Sequence, residues 1–308
     1  MITVVGSLNL DMVVRVDRMP DPGETLLARG YAEHHGGKGA NQAVAAVRAG
    51  GRVAMIGRIG RDEAGSRLRD GLASDDIDVA EVRTVEAPTG RALIEVDAAG
   101  QNRIVVVPGA NAAWTADDLP GEALIRSDVI VLQREVPDDV VAAAIRRGAA
   151  AGRRTVLNLA PAGAMPDDVL AACSVLVVNE SEAAFLDGCA ADDVAADPLG
   201  AARRLASRAL GDVVVTLGAD GAVHAGAGGE GRIEGFPVHA VDTTAAGDAF
   251  VGALATRLDE GAVMGEAVRF GCAAGAEAVT REGAQPSLPD RAAIEARLGG
   301  GAPLSRPA

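Results

Sequence analysis

The sequence predicts a doubly wound α/β fold, a mostly parallel sheet with helices on both faces, joined to a small β-sheet lid. Three observations predict it. Apolar runs of four to six residues alternate with helical segments along the chain. Those runs are continuous in Val, Leu and Ile, as a parallel strand covered on both faces requires. Two segments break the alternation with period-2 patterns, which sets extra strands apart from the main βα units.

The elements follow in order. Residues 2–6 form the first strand; Met1 leads straight into it with no basic region, so this start reads as a strand and not as a signal peptide. Residues 13–31 carry the first period-2 pattern, and a glycine-rich stretch then opens a helix over 41–49. A strand at 53–57 and a helix at 65–73 follow. The second period-2 region spans 89–107, with a turn at 98–102. Strands at 129–132, 155–159, 175–178 and 213–217 come next, with helices at 138–151 and 201–210 among them. Helices at 247–258 and 262–279 complete the pattern. The expectation is a single domain over 1–308 with lid strands inserted at about 12–34 and 88–108, and a disordered tail at 299–308. A small sheet with open edges and one apolar face invites covering by a second subunit.

Composition excludes several classes. Hydrophobic residues at 48% and charged residues at 23% are those of a globular chain. No apolar run is long enough to span a membrane. The net charge of −14 repels nucleic acid and anionic membranes, and 2% aromatics leave no stacking platform for bases. Cys173, Cys189 and Cys272 are odd in number and unpaired in spacing, which suits the reducing cytoplasm. Four histidines without ligand spacing argue against a zinc site. Of the 29 basic residues, Lys38 is the one lysine. Coding bias toward Arg accounts for the others and not for this exception.

Four segments carry chemistry. In Asp242-Thr243-Thr244-Ala245-Ala246-Gly247-Asp248, small residues precede a helix. Free N–H groups and the dipole at such a start hold an anion, and small side chains let a phosphate approach. Asp248 in the first turn is then expected to stay ionised and to accept a proton from an attacking hydroxyl; the plainer alternative is a helix-start acid. Gly36-Gly37-Lys38-Gly39-Ala40-Asn41-Gln42 resembles a phosphate loop without matching G-x-x-x-x-G-K-[ST]. Asn9, Asp11 and Glu135 follow strands, at the end of the sheet where α/β proteins bind ligands, and together suit a polyhydroxyl substrate. Asn179-Glu180-Ser181-Glu182 reads locally as a capping pattern, and alternatively places Mg²⁺ through water. Gly226-Ala227-Gly228-Gly229-Glu230-Gly231 matches G-x-G-x-x-G but leads into a strand, so it reads as a hairpin turn and argues against a dinucleotide-binding dehydrogenase.

Taken together, these segments resemble the ribokinase-like (phosphofructokinase B) family of carbohydrate kinases over nearly the whole chain. The signatures are 36–41 and 242–248, supported by Gly6-Ser7-Leu8-Asn9-Leu10-Asp11, Pro22-Gly23-Glu24-Thr25, Gly109-Ala110-Asn111 and Asn158-Leu159-Ala160-Pro161-Ala162. The resemblance implies transfer of the γ-phosphoryl group of ATP to the 5-hydroxyl of D-ribose, and a homodimer formed through the lid. It implies Asp248 as base, with Ala245, Ala246 and Gly247 as the anion hole. It implies sugar contacts from Asn9, Asp11, Gly37, Lys38, Asn41 and Glu135. It also implies nucleotide contacts from Asn179, Thr216, Gly218, Asp220, Gly221, Gly247 and Cys272, and an Mg²⁺ link through Asn179 and Glu182. A monovalent cation, usually K⁺, is implied at Asp242, Thr244, Ala278, Arg281, Gly283 and Ser287. Arg91, Arg134 and His35 stand where the family usually has apolar or aromatic residues, and Cys272 where His or Asn is common. At this point another sugar, a sugar phosphate or a nucleoside remains open as acceptor, as does a binding module without chemistry.

Overall fold

The computed structural model describes residues 1–208 and 211–300. In chain order the first elements are β1 (Ile2–Val5), β2 (Asn9–Arg15), β3 (Gly30–Gly36), α1 (Lys38–Arg48), β4 (Val53–Gly60), α2 (Glu63–Ser74), β5 (Asp78–Val85), β6 (Gly90–Val96) and β7 (Asn102–Val107). There follow α3 (Gly121–Ile125), β8 (Val129–Leu132), α4 (Asp138–Ala150), β9 (Arg154–Asn158), α5 (Asp167–Ala172), β10 (Val175–Asn179), α6 (Glu180–Asp187), α7 (Ala191–Ala196) and α8 (Pro198–Ser207). The last are β11 (Asp212–Thr216), β12 (Ala222–Ala225), β13 (Gly231–Ile233), α9 (Ala246–Asp259), α10 (Met264–Ala278) and α11 (Arg291–Gly299).

Two sheets result. Among the described residues the large one has the order β13-β12-β11-β10-β9-β8-β1-β4-β5. It is parallel except at β12 and β13, which pair antiparallel around the predicted glycine hairpin. Strand order reverses at β1, whose neighbours are β4 on one side and β8 on the other. Such a reversal opens a crevice at the carboxyl ends of the strands. Period-2 alternation splits the core into two layers. Ile2, Val4, Val129, Val131, Val175 and Val177 face α1, α9 and α10, whereas Val5, Ile130, Leu132, Leu176 and Val178 face α4 and α8. Burying each such side chain is worth roughly 1.5–3 kcal/mol, so both faces of the sheet are driven to be covered.

The small sheet has the order β3-β2-β6-β7 and departs from the sequence expectation at its first strand. The strands are Asn9–Arg15 and Gly30–Gly36, with no strand across most of 13–31. Pro20, Pro22 and Gly23 interrupt the ladder, because proline offers no N–H and glycine adds backbone entropy; a turn closes there with Glu24 N–H donating to Asp21 O at 2.9 Å. Asn9 and Asp11 follow β1, as expected, and stand in the lid strand β2. Strand β5 was not foreseen: it is a mostly exposed edge strand rich in charge, without a continuous apolar run. The helix expected at 201–210 runs Pro198–Ser207, its last two expected positions lying outside the described residues. Of the expected disordered tail, Gly299 closes α11, Gly300 caps it, and 301–308 lie outside the described residues.

Candidate active site

Five strand ends and three helix starts, those of α1, α6 and α9, converge at the crevice. Beyond β1, Ser7 donates its hydroxyl to Glu135 Oε2 at 2.6 Å, and Glu135 lies just beyond β8. The same oxygen accepts the Lys38 backbone N–H at 3.0 Å. Gly37, at φ 88°, turns the chain from β3 into α1. A Cβ there would approach Asn9 N at 2.8 Å and Ser7 O at 2.9 Å, which is why glycine occupies the turn. Gly39 is equally confined, against Ser7 N and the Gly6 backbone. These glycines press the start of α1 onto the β1–β2 connection, and Lys38, Asn41 and Gln42 are thereby aimed at α9.

Asp248 lies in the first turn of α9 and is buried. Asn41 Nδ2 donates to its Oδ2 at 3.0 Å, and Gln42 Nε2 donates to its Oδ1 at 2.9 Å. The expected helix-start acid thus sits in a desolvated pocket and not on an open helix end. Burial pushes its pKa above the ordinary carboxylate value, opposed by Lys38 and the two amides, with Glu135 adding to the rise. Asp11 is pushed up to about 7, by burial first and then by Glu135 and Asp248. Lys38 is held above its usual range by Asp248, Glu135, Glu182 and Asp11 against its own burial. The chain's one lysine thus stands among four carboxylates.

A cavity of about 220 Å³ brings together Lys38, Asn158, Asn179, Glu182, Thr216, Ala245, Ala246, Gly247 and Asp248. Asn179 and Glu182 form a reciprocal cap, each side chain taking the other's backbone N–H at 2.8 Å. The local capping reading therefore holds, and Glu182 still faces the cavity, its pKa raised by burial. A second, apolar cavity of about 350 Å³ adjoins it through Thr216, Ala246 and Gly247. Gly218, Gly221, Phe236, Val238 and Cys272 line it. Burial pushes the Cys272 thiol up to about 12, so it is an apolar wall there. Asp220 is exposed on the turn Gly218–Asp220 and is not part of that lining.

Of the residues expected around a monovalent cation, Asp242, Thr244 and Gly283 are joined by hydrogen bonds. Asp242 Oδ1 accepts the Thr244 N–H at 2.9 Å and its hydroxyl at 2.6 Å, while Oδ2 accepts Gly283 N–H at 2.9 Å. Asp242 is thereby held below the usual carboxylate range despite burial. Val241 N–H donates to Val279 O at 2.7 Å, Arg281 N–H to Ala278 O at 3.2 Å, and Ser287 Oγ to Ala284 O at 2.8 Å. Among the described residues no group of three or more His, Cys, Asp or Glu is gathered as a metal site.

Sequence reasoning missed Gln42, Gln133 and Asn111 as parts of the site. Asn111 clasps Leu8 through its N–H at 2.9 Å and its carbonyl at 3.1 Å, and donates to Asn9 Oδ1 at 2.7 Å. Gln42 adjoins a motif that was recognised, but nothing in one sequence says which amide turns inward. Of the unusual arginines, Arg134 pairs bidentately with Asp138 at 2.9 and 3.1 Å and donates to Pro161 O at 3.0 Å. It is spent on the start of α4. Arg91 is exposed on β6, and the His35 ring lies against Gly71 of α2.

Comparison with known proteins finds relatives over most of the chain. The family model described as pfkB family carbohydrate kinase matches residues 1–291. A ribokinase of Haemophilus influenzae is 41% identical over 294 residues, covering 94% of this chain and 95% of its own. A deoxyribokinase of Salmonella typhi is 37% identical over 297 residues, covering 94% and 95%. The structure of Arabidopsis thaliana ribokinase complexed with ribose and ATP superposes with a TM-score of 0.88 at 31% identity, covering 97% of this chain and 99% of that one. The chain belongs to the pfkB family of carbohydrate kinases.

Proposed function

We propose that this protein is a ribokinase that moves the γ-phosphoryl group of ATP to the 5-hydroxyl of D-ribose. The observation that carries this reading is the buried Asp248 carboxylate, held by Asn41 and Gln42 at a helix start that opens onto two adjoining cavities. Asp11 and Glu135 lie outside the lining of the polar cavity but act electrostatically on Lys38 and Asp248 within it; that cavity suits a sugar, and the apolar one suits a nucleobase. In the reaction the 5-oxygen attacks the γ-phosphorus, the bond to the departing ADP breaks, and Asp248 takes the hydroxyl proton. The first N–H groups of α9 and the Lys38 ammonium face the charge that develops on the phosphoryl oxygens.

Oxygen donors suit the cations this chemistry uses. Asn179 and Glu182 would hold Mg²⁺ through water and nucleotide phosphates, since among the described residues no cluster of three or more His, Cys, Asp or Glu would hold the ion alone. Asp242, Thr244, Ala278, Arg281, Gly283 and Ser287, largely through backbone carbonyls, would hold K⁺, which supplies fixed positive charge beside the anion hole. The lid presents Ile104, Val105, Val106 and Val107, each 46–61% exposed, along β7. We assign that strip to a second copy of the chain, giving a homodimer.

The test is ADP release from Mg-ATP with K⁺, across ribose, 2-deoxyribose, fructose, fructose 6-phosphate and adenosine. Turnover on ribose with a marked drop when Na⁺ replaces K⁺ is the expected result. The deoxyribokinase relative makes 2-deoxyribose the second reading, and preference for it would overturn the first.

A further inference from the structure

We propose that Gln42 is the positioning residue of the catalytic base: its amide, oriented by Gln133, holds Asp248 in the pose from which it takes the sugar's proton. This rests on the role given to Asp248 above. Gln42 and Gln133 are both fully buried. Gln133 Nε2 donates to Gln42 Oε1 at 2.6 Å. With that acceptor engaged, the Gln42 amide nitrogen points the other way, donating to Asp248 Oδ1 at 2.9 Å and to Asn158 Oδ1 at 3.1 Å. Both N–H groups are used. A flipped Gln42 would set its oxygen against two oxygens and its NH₂ against that of Gln133. One orientation therefore survives.

Gln133 is placed for this task at a cost. Its Oε1 is buried with no hydrogen-bond partner. It lies against Gly6, where any Cβ would collide with it. A hydrocarbon would avoid that cost, and the amide's engaged N–H is what a hydrocarbon could not supply. With Asn41 on Oδ2, both oxygens of Asp248 accept a neutral N–H, which fixes the carboxylate plane. These donors favour the charged form against burial, with Lys38 on the same side and Glu135 and Asp11 opposing.

The experiment is steady-state kinetics with ribose and Mg-ATP on the full chain, with Gln42→Met, Gln133→Met and the double variant. Methionine keeps the shape and removes the donors. For Gln42→Met the expected result is a fall in kcat of roughly 10–100-fold. KM for ribose should stay within about twofold, because the group lost acts through the base. Losing a donor raises the Asp248 pKa, so the acid limb of the kcat profile should move up by about one pH unit. Gln133→Met touches neither Asp248 nor the cavities; it should lower kcat in the same direction by roughly 3–10-fold, and the double variant should be no worse than Gln42→Met. An unmoved acid limb with kcat within twofold, or additive losses in the double variant, overturns the proposal. If Gln42→Met does not fold, Gln133→Met alone decides by the same limb. A wild-type chain without turnover, or an active Asp248→Asn, sinks the underlying reading instead.

Discussion

Gly252→Ala puts the packing that positions the base under direct test. Helices α1 and α9 cross at this glycine. A Cβ there would lie 2.5 Å from Ala45 Cβ, 2.7 Å from Ala46 N and 2.7 Å from Gln42 O. Two of those atoms are helix backbone and cannot swing aside. Ordinary contact begins near 3.4 Å, so the helices must separate by about 0.7 Å. Asn41 and Gln42 ride on α1 and Asp248 on α9, at 3.0 and 2.9 Å. The same displacement carries both hydrogen bonds to about 3.6 Å, beyond useful range. Overpacking of this kind costs about 1–3 kcal/mol, a fall in Tm of roughly 2–5 °C for a chain of 308 residues. Loss of alignment at the base should lower kcat by roughly 10–100-fold. The assays are thermal melting and ADP release with ribose, beside Gly121→Ala, where a new Cβ meets nothing within 4 Å. Helix propensity alone predicts the opposite sign, a gain of up to about 1 kcal/mol on replacing an interior glycine. A raised Tm with unchanged kcat in Gly252→Ala would refute the close-approach argument.

Two further predictions follow from the electrostatics. Asp248→Asn should reduce kcat by roughly 10²–10⁴-fold while ribose binding, read by calorimetry, survives; retained turnover would remove Asp248 as the base. The Asp11 pKa is raised to about 7 in the fold from an ordinary 3.8, so the folded state holds its proton more tightly than the unfolded chain. The associated stability is present below pH 3.8 and is lost as pH rises toward 7. Asp11→Asn should therefore raise Tm at pH 8 by several degrees, with the gain vanishing near pH 4; an equal gain at both pH values would disprove the assignment.

Local pattern carried far along this chain because so much of its architecture is local. Continuous Val and Leu runs bury both faces of a strand, and the strand at Val129–Leu132 was legible to the residue. Glycines at 36, 37 and 39 and small residues before Asp248 announce two helix starts without any knowledge of their partners. The reciprocal Asn179–Glu182 cap was readable from spacing alone, since it closes within four residues. Strand β5 and the first lid strand were misread because charge and proline hide an edge strand from a periodicity search.

What the chain could not disclose in one dimension is which polar groups face each other. Arg134 stood out in the sequence only as a departure from the family pattern, and the start of α4 shows it paired to Asp138. Gln42 and Gln133 are 91 positions apart, and each alone is an unremarked amide. The burial that pushes up the pKa of Asp248 comes from tertiary packing, with Asn41 and Gln42 of α1 donating to it. Buried strands and helix starts depend on near neighbours in sequence, so local pattern disclosed most of them. Desolvation, amide orientation and the close crossing at Gly252 depend on neighbours brought together from across the chain, and tertiary packing alone decided those.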